Sequence, residues 1–271
     1  MKLLKDRVFV IAAAILSLHV LLAVFGEWLA PFPFDEMQFM STLSGPDATH
    51  WFGTDQYGRD VFSRVLVGGK TTLVFGFGAV AVCFLIGLPV GLASAYYGGR
   101  VDQALMRVMD VLMSFPTLLL GLLILIIAGP DMVSLIVAVG LVYCPRTARI
   151  VRTAALNVRQ STYIEAAQAR GESGAYIMFR ELFPSAVGPI LVEFCIRLSY
   201  AILLGASFNY LGLGIQPPEA DWGALVQEAR STMIRAPWTV LFPILFISTL
   251  VAPLHLMADR IDDQLKGGKG A

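Results

Sequence analysis

Six stretches of this 271-residue chain approach the length and apolarity needed to cross a bilayer as a helix. A spanning helix needs about 20 largely apolar residues, because every backbone polar group in lipid must be satisfied within the helix itself. The stretches are Val8–Trp28, Leu73–Tyr97, Ala104–Ala128, Met132–Ile150, Ala186–Leu211 and Val240–Met257. The fourth is the weakest, since its cleanest part, Met132–Cys144, is too short and must continue past Pro145. Pro89 lies inside the second, where neighbouring helices can satisfy the freed carbonyl. The expected fold class is an all-α polytopic membrane protein with six transmembrane helices.

Composition agrees. Charged residues make up 15% of the chain and hydrophobic ones 56%, and the mean hydropathy is +0.70. A water-soluble exterior of this size needs more charge. The zero net charge and the lack of a basic run give no footprint for nucleic acid. Cys83, Cys144 and Cys195 lie in apolar stretches without CxxC pairing, so each reads as a small buried hydrophobe. His19, His50 and His255 are scattered and make no metal-ligand spacing. No GxxxxGK[ST] loop is present, so ATP binding by this chain is not expected. The first apolar run is longer than a signal-peptide core and ends at Pro31 and Pro33 without a cleavage motif, which reads as a retained anchor.

Lysine and arginine orient the chain. With the N-terminus inside, most of the 20 lysines and arginines fall on the inner side. The outer side holds Arg59, Arg64, Lys70, Arg230 and Arg235. The expectation is a multi-pass protein of the cytoplasmic membrane with both termini cytoplasmic. It divides into an N-terminal helix and outer segment (1–70), a main transmembrane domain (71–263) and a short tail (264–271). Two outer segments, Pro31–Lys70 and Gly214–Trp238, and one inner segment, Arg152–Pro184, are longer than simple connections require.

Within the inner segment, Thr162 and Glu165 have capping-box spacing, with Thr162 capping a helix and Glu165 reaching back. Gly171 stands where a left-handed C-cap belongs. Ser173 starts a second short helix through Phe179, closed before Pro184. The small side chains of Ala166 and Ala167 would let another backbone approach closely. From spacing alone, this is either an amphipathic connector or a docking element. In the outer segment, Asp60 is a candidate helix cap, and Arg59 and Arg64 can pair with Asp55 and Asp60. Glu193 and Arg197 lie four apart, on one face of the fifth span. Ionisable groups at that depth either pair internally or line a pathway.

Glu165-Ala166-Ala167, Gly171 and Pro184 resemble the EAA loop of ABC importer permeases. Glu181 and Phe183 stand where that pattern has Ile and Leu. The outer stretch from Gly53-Thr54-Asp55 through Gly58-Arg59-Asp60-Val61 to Ser63-Arg64 resembles the signature of the dipeptide, oligopeptide and nickel permease group. Tyr96–Gly99, Asp102, Arg107, Asp110, Phe115-Pro116, Phe208–Pro218, Trp222-Gly223 and Ala236–Trp238 agree with it in order. The resemblance covers His50 to Asp263 and is closest to the C-type permease subunit. It implies a type I ABC importer permease fold with no catalysis of its own. It also implies a homologous second permease and two cytoplasmic subunits that bind ATP and Mg and dock on Glu165–Gly171. An extracytoplasmic binding protein would touch the outer loops, for which Thr54, Asp55, Arg59, Asp60, Gln216, Pro217 and Trp222 are the candidate contacts. The expected solute is a di- or oligopeptide. Nickel, glutathione or an opine-like solute is the alternative, and an ion-coupled secondary transporter is the rival from another class.

Overall fold

The computed structural model describes residues 6–216 and 218–267. α1 (Arg7–Leu29) opens on Asp6, whose carboxylate accepts from the Val8 amide at 2.8 Å. α2 (Val61–Tyr97) is one helix of 37 residues. It starts at Asp60, which accepts from the Ser63 amide at 2.8 Å, and not at Leu73 as the apolar run alone suggested. Arg64 and Lys70 therefore lie on the helix, which extends about 55 Å at 1.5 Å per residue. It also runs across the expected 70/71 boundary.

The third apolar run is not one straight helix. α3 (Gly99–Ser114) and α4 (Thr117–Ala128) meet at Phe115-Pro116 with an 88° bend. Proline disfavours helical backbone in the residue before it, and Phe115 is extended (φ −82°, ψ 136°). α5 (Met132–Arg159) passes through Pro145 and continues beyond Ile150. α6 (Thr162–Ala169), α7 (Gly174–Tyr176), a π-helical turn (Ile177–Leu182) and α8 (Phe183–Ser185) form the inner segment. α9 (Val187–Tyr210), α10 (Trp222–Glu228) and α11 (Trp238–Gly267) complete the order. Among the described residues, five helices are long and apolar enough to span a membrane, or six if α3 and α4 count as one bent span.

α2 and α5 form the centre of the bundle, and glycine sets their separation. A Cβ on Gly87 would stand 3.0 Å from the Cys144 carbonyl oxygen, and one on Gly91 would stand 2.6 Å from that of Ala148. Without a large water-driven gain between helices in lipid, close backbone packing of this kind does the work of association. One buried cluster, including Phe75, Val139, Leu198, Phe208 and Trp222, fills the middle and outer half. A second joins Leu92 and Ala95 of α2 and Val151 and Ala155 of α5 to Ile164, Ala167, Ile177 and Leu182 of the inner segment. The inner segment is thus packed on the C-terminal ends of α2 and α5, opposite the loop that precedes α2.

Candidate functional site

The inner segment presents one face of α6. Ile164 and Ala167 are fully buried, while Glu165 and Ala166 are exposed. Ala167 therefore packs inside this chain, and only Ala166 of the pair is open to an approaching backbone. The expected capping box does not form. Ser161 takes the cap position and its hydroxyl donates to the Val158 carbonyl instead. Gly171 has φ +77°, as a left-handed cap requires, with nothing within 4 Å of where a Cβ would stand. Ser173 caps the next turn by accepting from the Tyr176 amide at 3.2 Å. That second helical run does not close before Pro184 but passes through it to Ser185. In a regular α-turn the proline ring would collide with the carbonyl four residues back. Here the preceding turn is widened, with the Phe183 amide bonded to Met178, five residues back. Pro184 is exposed, and Tyr163 donates to the Ser185 hydroxyl at 2.8 Å, tying the two pieces together.

At the opposite end, the loop before α2 closes around Asp55. Its carboxylate accepts from Arg59 Nε (2.6 Å), Arg64 Nη1 (3.0 Å) and the amides of Tyr57 (2.8 Å) and Arg59 (3.0 Å). Both arginines also reach Glu228 on α10. Burial pushes the Glu228 carboxyl up, but Arg64 and Arg59 outweigh it and hold the group below the usual glutamate range. Asp60 does not pair with either arginine. It caps α2 and accepts from His50 Nδ1 at 2.9 Å. Asp221 anchors the start of α10. It accepts from Thr72 (2.7 Å), from Asn209 (2.6 Å) and from two amides at the helix start, while burial pushes its carboxyl upward.

The candidate contacts for a delivery protein divide accordingly. Thr54, Asp55, Arg59, Asp60 and Trp222 are buried, and Trp222 donates to the Val65 carbonyl at 2.8 Å. These residues hold the outer end together and offer no open contact surface. Gln216 is exposed, and Pro217 lies outside the described residues. Glu228, Asp221, Asn209 and His50 were not singled out by sequence reasoning. A lone carboxylate in a loop carries no local signal for a partner far along the chain.

Deep in the bundle, Glu193 and Arg197 pair as expected of neighbours on one helical face. Glu193 Oε1 accepts from Arg197 Nε (2.9 Å), Arg197 Nη2 (2.7 Å) and Thr147 (2.8 Å). The Arg197 guanidinium carbon stands 4.9 Å from the Tyr143 ring centre and 5.8 Å from that of Tyr200. Its Nη1 has no partner among the described residues. Cys83, Cys144 and Cys195 are free and buried. His255 lies within α11, with Nδ1 3.2 Å from the Val251 carbonyl oxygen.

Residues 87–267 match the family model described as binding-protein-dependent transport system inner membrane component. Residues 1–46 match the N-terminal transmembrane domain of oligopeptide transport permease C. The chain is 34% identical to the dipeptide transport system permease protein DppC of Alkalihalophilus pseudofirmus, over 97% of this chain and 87% of the relative. It is 38% identical to the glutathione transport system permease protein GsiD of Pectobacterium atrosepticum, over 97% and 88%. Among solved structures, an inward-facing form of the MetNI methionine ABC transporter aligns with a TM-score of 0.61 at 22% identity. That alignment covers 73% of this chain and 94% of the other.

Proposed function

Because this chain belongs to the family of binding-protein-dependent transport system inner membrane components, and is a multi-pass permease subunit of an ABC importer, we propose that it passes di- and oligopeptides, glutathione-like peptides included, into the cytoplasm. The peptide reading draws on the names of its relatives, which are a dipeptide permease and a glutathione permease. The energy comes from outside the chain. Two ATP-binding subunits, carrying ATP and Mg, dock on the inner segment. A homologous permease completes the path, and a binding protein delivers the solute to the opposite side. Both termini face the cytoplasm in this arrangement, with Arg260 and Lys266 on that side as the charge bias requires.

The observation that carries this reading is the two-sided helix α6. Its outward side offers Glu165 and Ala166, and its inward side seats Ile164 and Ala167 against the ends of α2 and α5. A partner pressing on Glu165–Gly171 would therefore move the ends of the two central helices. Glu165, Ala166 and Gly171 form the docking side in this reading, Ala167 the transmitting side, and Pro184 the far end of the loop. ATP binding then favours one of two membrane conformations by differential affinity, which is all that a ligand can contribute to a conformational equilibrium.

The test is the ATPase activity of the reconstituted complex with its binding protein loaded with mixed short peptides, with glutathione, or with chelated nickel. Stimulation by a peptide-loaded form is expected. Stimulation by the nickel-loaded form alone would overturn the peptide assignment.

A further inference from the structure

A helix face that points outward inside a bilayer meets lipid, protein or water, and its side chains reveal which. Between residues 71 and 96 the exposed residues of α2 are Val74, Phe77, Ala81, Leu85 and Pro89. Those of α4 are likewise all apolar, from Leu118 to Ala128. The second half of α9 differs. Its exposed residues are Tyr200, Leu203, Ser207 and Tyr210, at spacings that put them on one face. Ser248 of α11 is exposed as well, and the half-buried His255 ring stands edge-on to Tyr200 at 5.8 Å. Ser207, Tyr210 and Ser248 line one open groove of about 500 Å³, to which α10 contributes Gly223 and Val226.

The two serines alone would prove little. Each donates to a carbonyl of its own helix at 2.8 Å, which makes it tolerable in lipid. The tyrosines decide the matter. Tyr143 and Tyr163 find acceptors for their hydroxyls, but among the described residues Tyr200 and Tyr210 do not. Tyr210 ends α9, where an interfacial tyrosine also belongs. Tyr200 lies ten residues deeper, about 15 Å along the axis, where no headgroup reaches. Behind it is the buried Arg197, with its unpartnered Nη1. An exposed phenol with no protein acceptor at this depth suits contact with water and a hydrogen-bonding solute, not with acyl chains, and the buried Arg197 places a positive charge behind it.

We propose that the face of α9 and α11 bearing Tyr200, Ser207, Tyr210 and Ser248 is this subunit's wall of the solute path. It contacts the amides and carboxylate of a passing peptide through hydroxyl groups, with the Arg197 charge set behind Tyr200. This inference rests on the importer reading above. Neutral hydroxyls with one shielded cation suit passage, because a fully exposed charge would hold a zwitterionic solute too tightly to release it.

Single cysteines at Tyr200, Ser207 and Ser248 test it in the reconstituted complex, with Leu85→Cys and Leu21→Cys as outward apolar controls. The buried native cysteines set the background. A membrane-impermeant thiol reagent should label Y200C, S207C and S248C at least tenfold faster than the controls, and peptide-loaded binding protein with ATP should slow that labelling. Labelling no faster than L85C, or labelling that peptide leaves unchanged, would overturn the proposal. S207C and S248C are small changes that keep the test open if Y200C fails to fold. Peptide-stimulated ATPase is read on the same samples. Its presence without labelling refutes only the wall, whereas its absence in the wild-type complex refutes the importer of peptides itself.

Discussion

Arg64 and Glu228, 164 residues apart in the chain, meet in a two-point ion pair. Nη1 lies 2.8 Å from Oε2 and Nη2 3.2 Å from Oε1. Arg59 joins the same carboxylate, and Asp55 receives both arginines on the other side. The pair fastens the start of α2 to the end of α10.

Glu228→Gln should loosen that end. The change leaves Asp55 alone to neutralise both arginines, so it should cost stability, though less than the about 3–5 kcal/mol of a buried pair broken outright. The expected result is a lower thermal midpoint for the purified protein in detergent. An unchanged midpoint would show that the clamp contributes little.

Acid should do the same to the wild type. Glu228 is held below its ordinary range in the folded chain. Its contribution is therefore complete above the unfolded glutamate value and is lost as pH falls through the lower folded value. The stability difference between wild type and E228Q should accordingly shrink as the solution is acidified. Taking that difference cancels the buried Asp221, whose upward shift acts in the opposite direction.

The Glu193–Arg197 pair offers a sharper energetic test. Glu193→Gln leaves Arg197 buried and unpaired and should cost about 3–5 kcal/mol, whereas the double change Glu193→Gln with Arg197→Met should recover most of that loss. Thermal unfolding of the wild type and the two variants reads both numbers. A double variant no better than E193Q would mean that Arg197 contributes through its contacts with the Tyr143 and Tyr200 rings and not through the Glu193 pair.

Ala166 and Ala167 should separate under the same substitution. Ala167→Leu forces extra volume into a fully buried site and should destabilise the chain by about 1–3 kcal/mol. Ala166→Leu faces outward and should leave stability alone while weakening co-purification of the ATP-binding subunits. Equal effects on stability would contradict the two-sided α6.

Gly171→Val should uncouple ATP hydrolysis from uptake. A side chain at positive φ is strained by about 1–2 kcal/mol even where space is free, as it is here. Normal coupled uptake by that variant would argue against a part for Gly171 in the docking side.

The apolar runs made the helical membrane class legible, because a bilayer imposes its length requirement on each segment separately. Cap chemistry was legible in part for the same reason of locality, although the capping box expected of Thr162 and Glu165 does not form. Asp60 starts α2 and Gly171 ends α6 through bonds to residues only a few places away. Glu193 and Arg197 followed from helical spacing. The errors in boundaries had identifiable causes. α2 begins twelve residues before its apolar run because Arg64 is neutralised by Asp55 and by Glu228, the second of which no local window contains. The third run breaks at Phe115-Pro116, where the residue before the proline is extended, whereas Pro89, Pro145, Pro243 and Pro253 remain inside continuous helices.

Sequence by itself thus determined the class of fold, the order of the spans and the family signatures, all of which depend on residues near one another in the chain. Tertiary structure alone decided which signature residues face a partner and which are buried. It turned Thr54, Asp55, Arg59, Asp60 and Trp222 inward, gave Arg64 its partner on α10, and set Tyr200 on an open face above Arg197. The reason is physical. Burial and ion pairing depend on which helices come together, and in this bundle that depends on close packing at glycines such as Gly87 and Gly91, whose role no single stretch of sequence discloses.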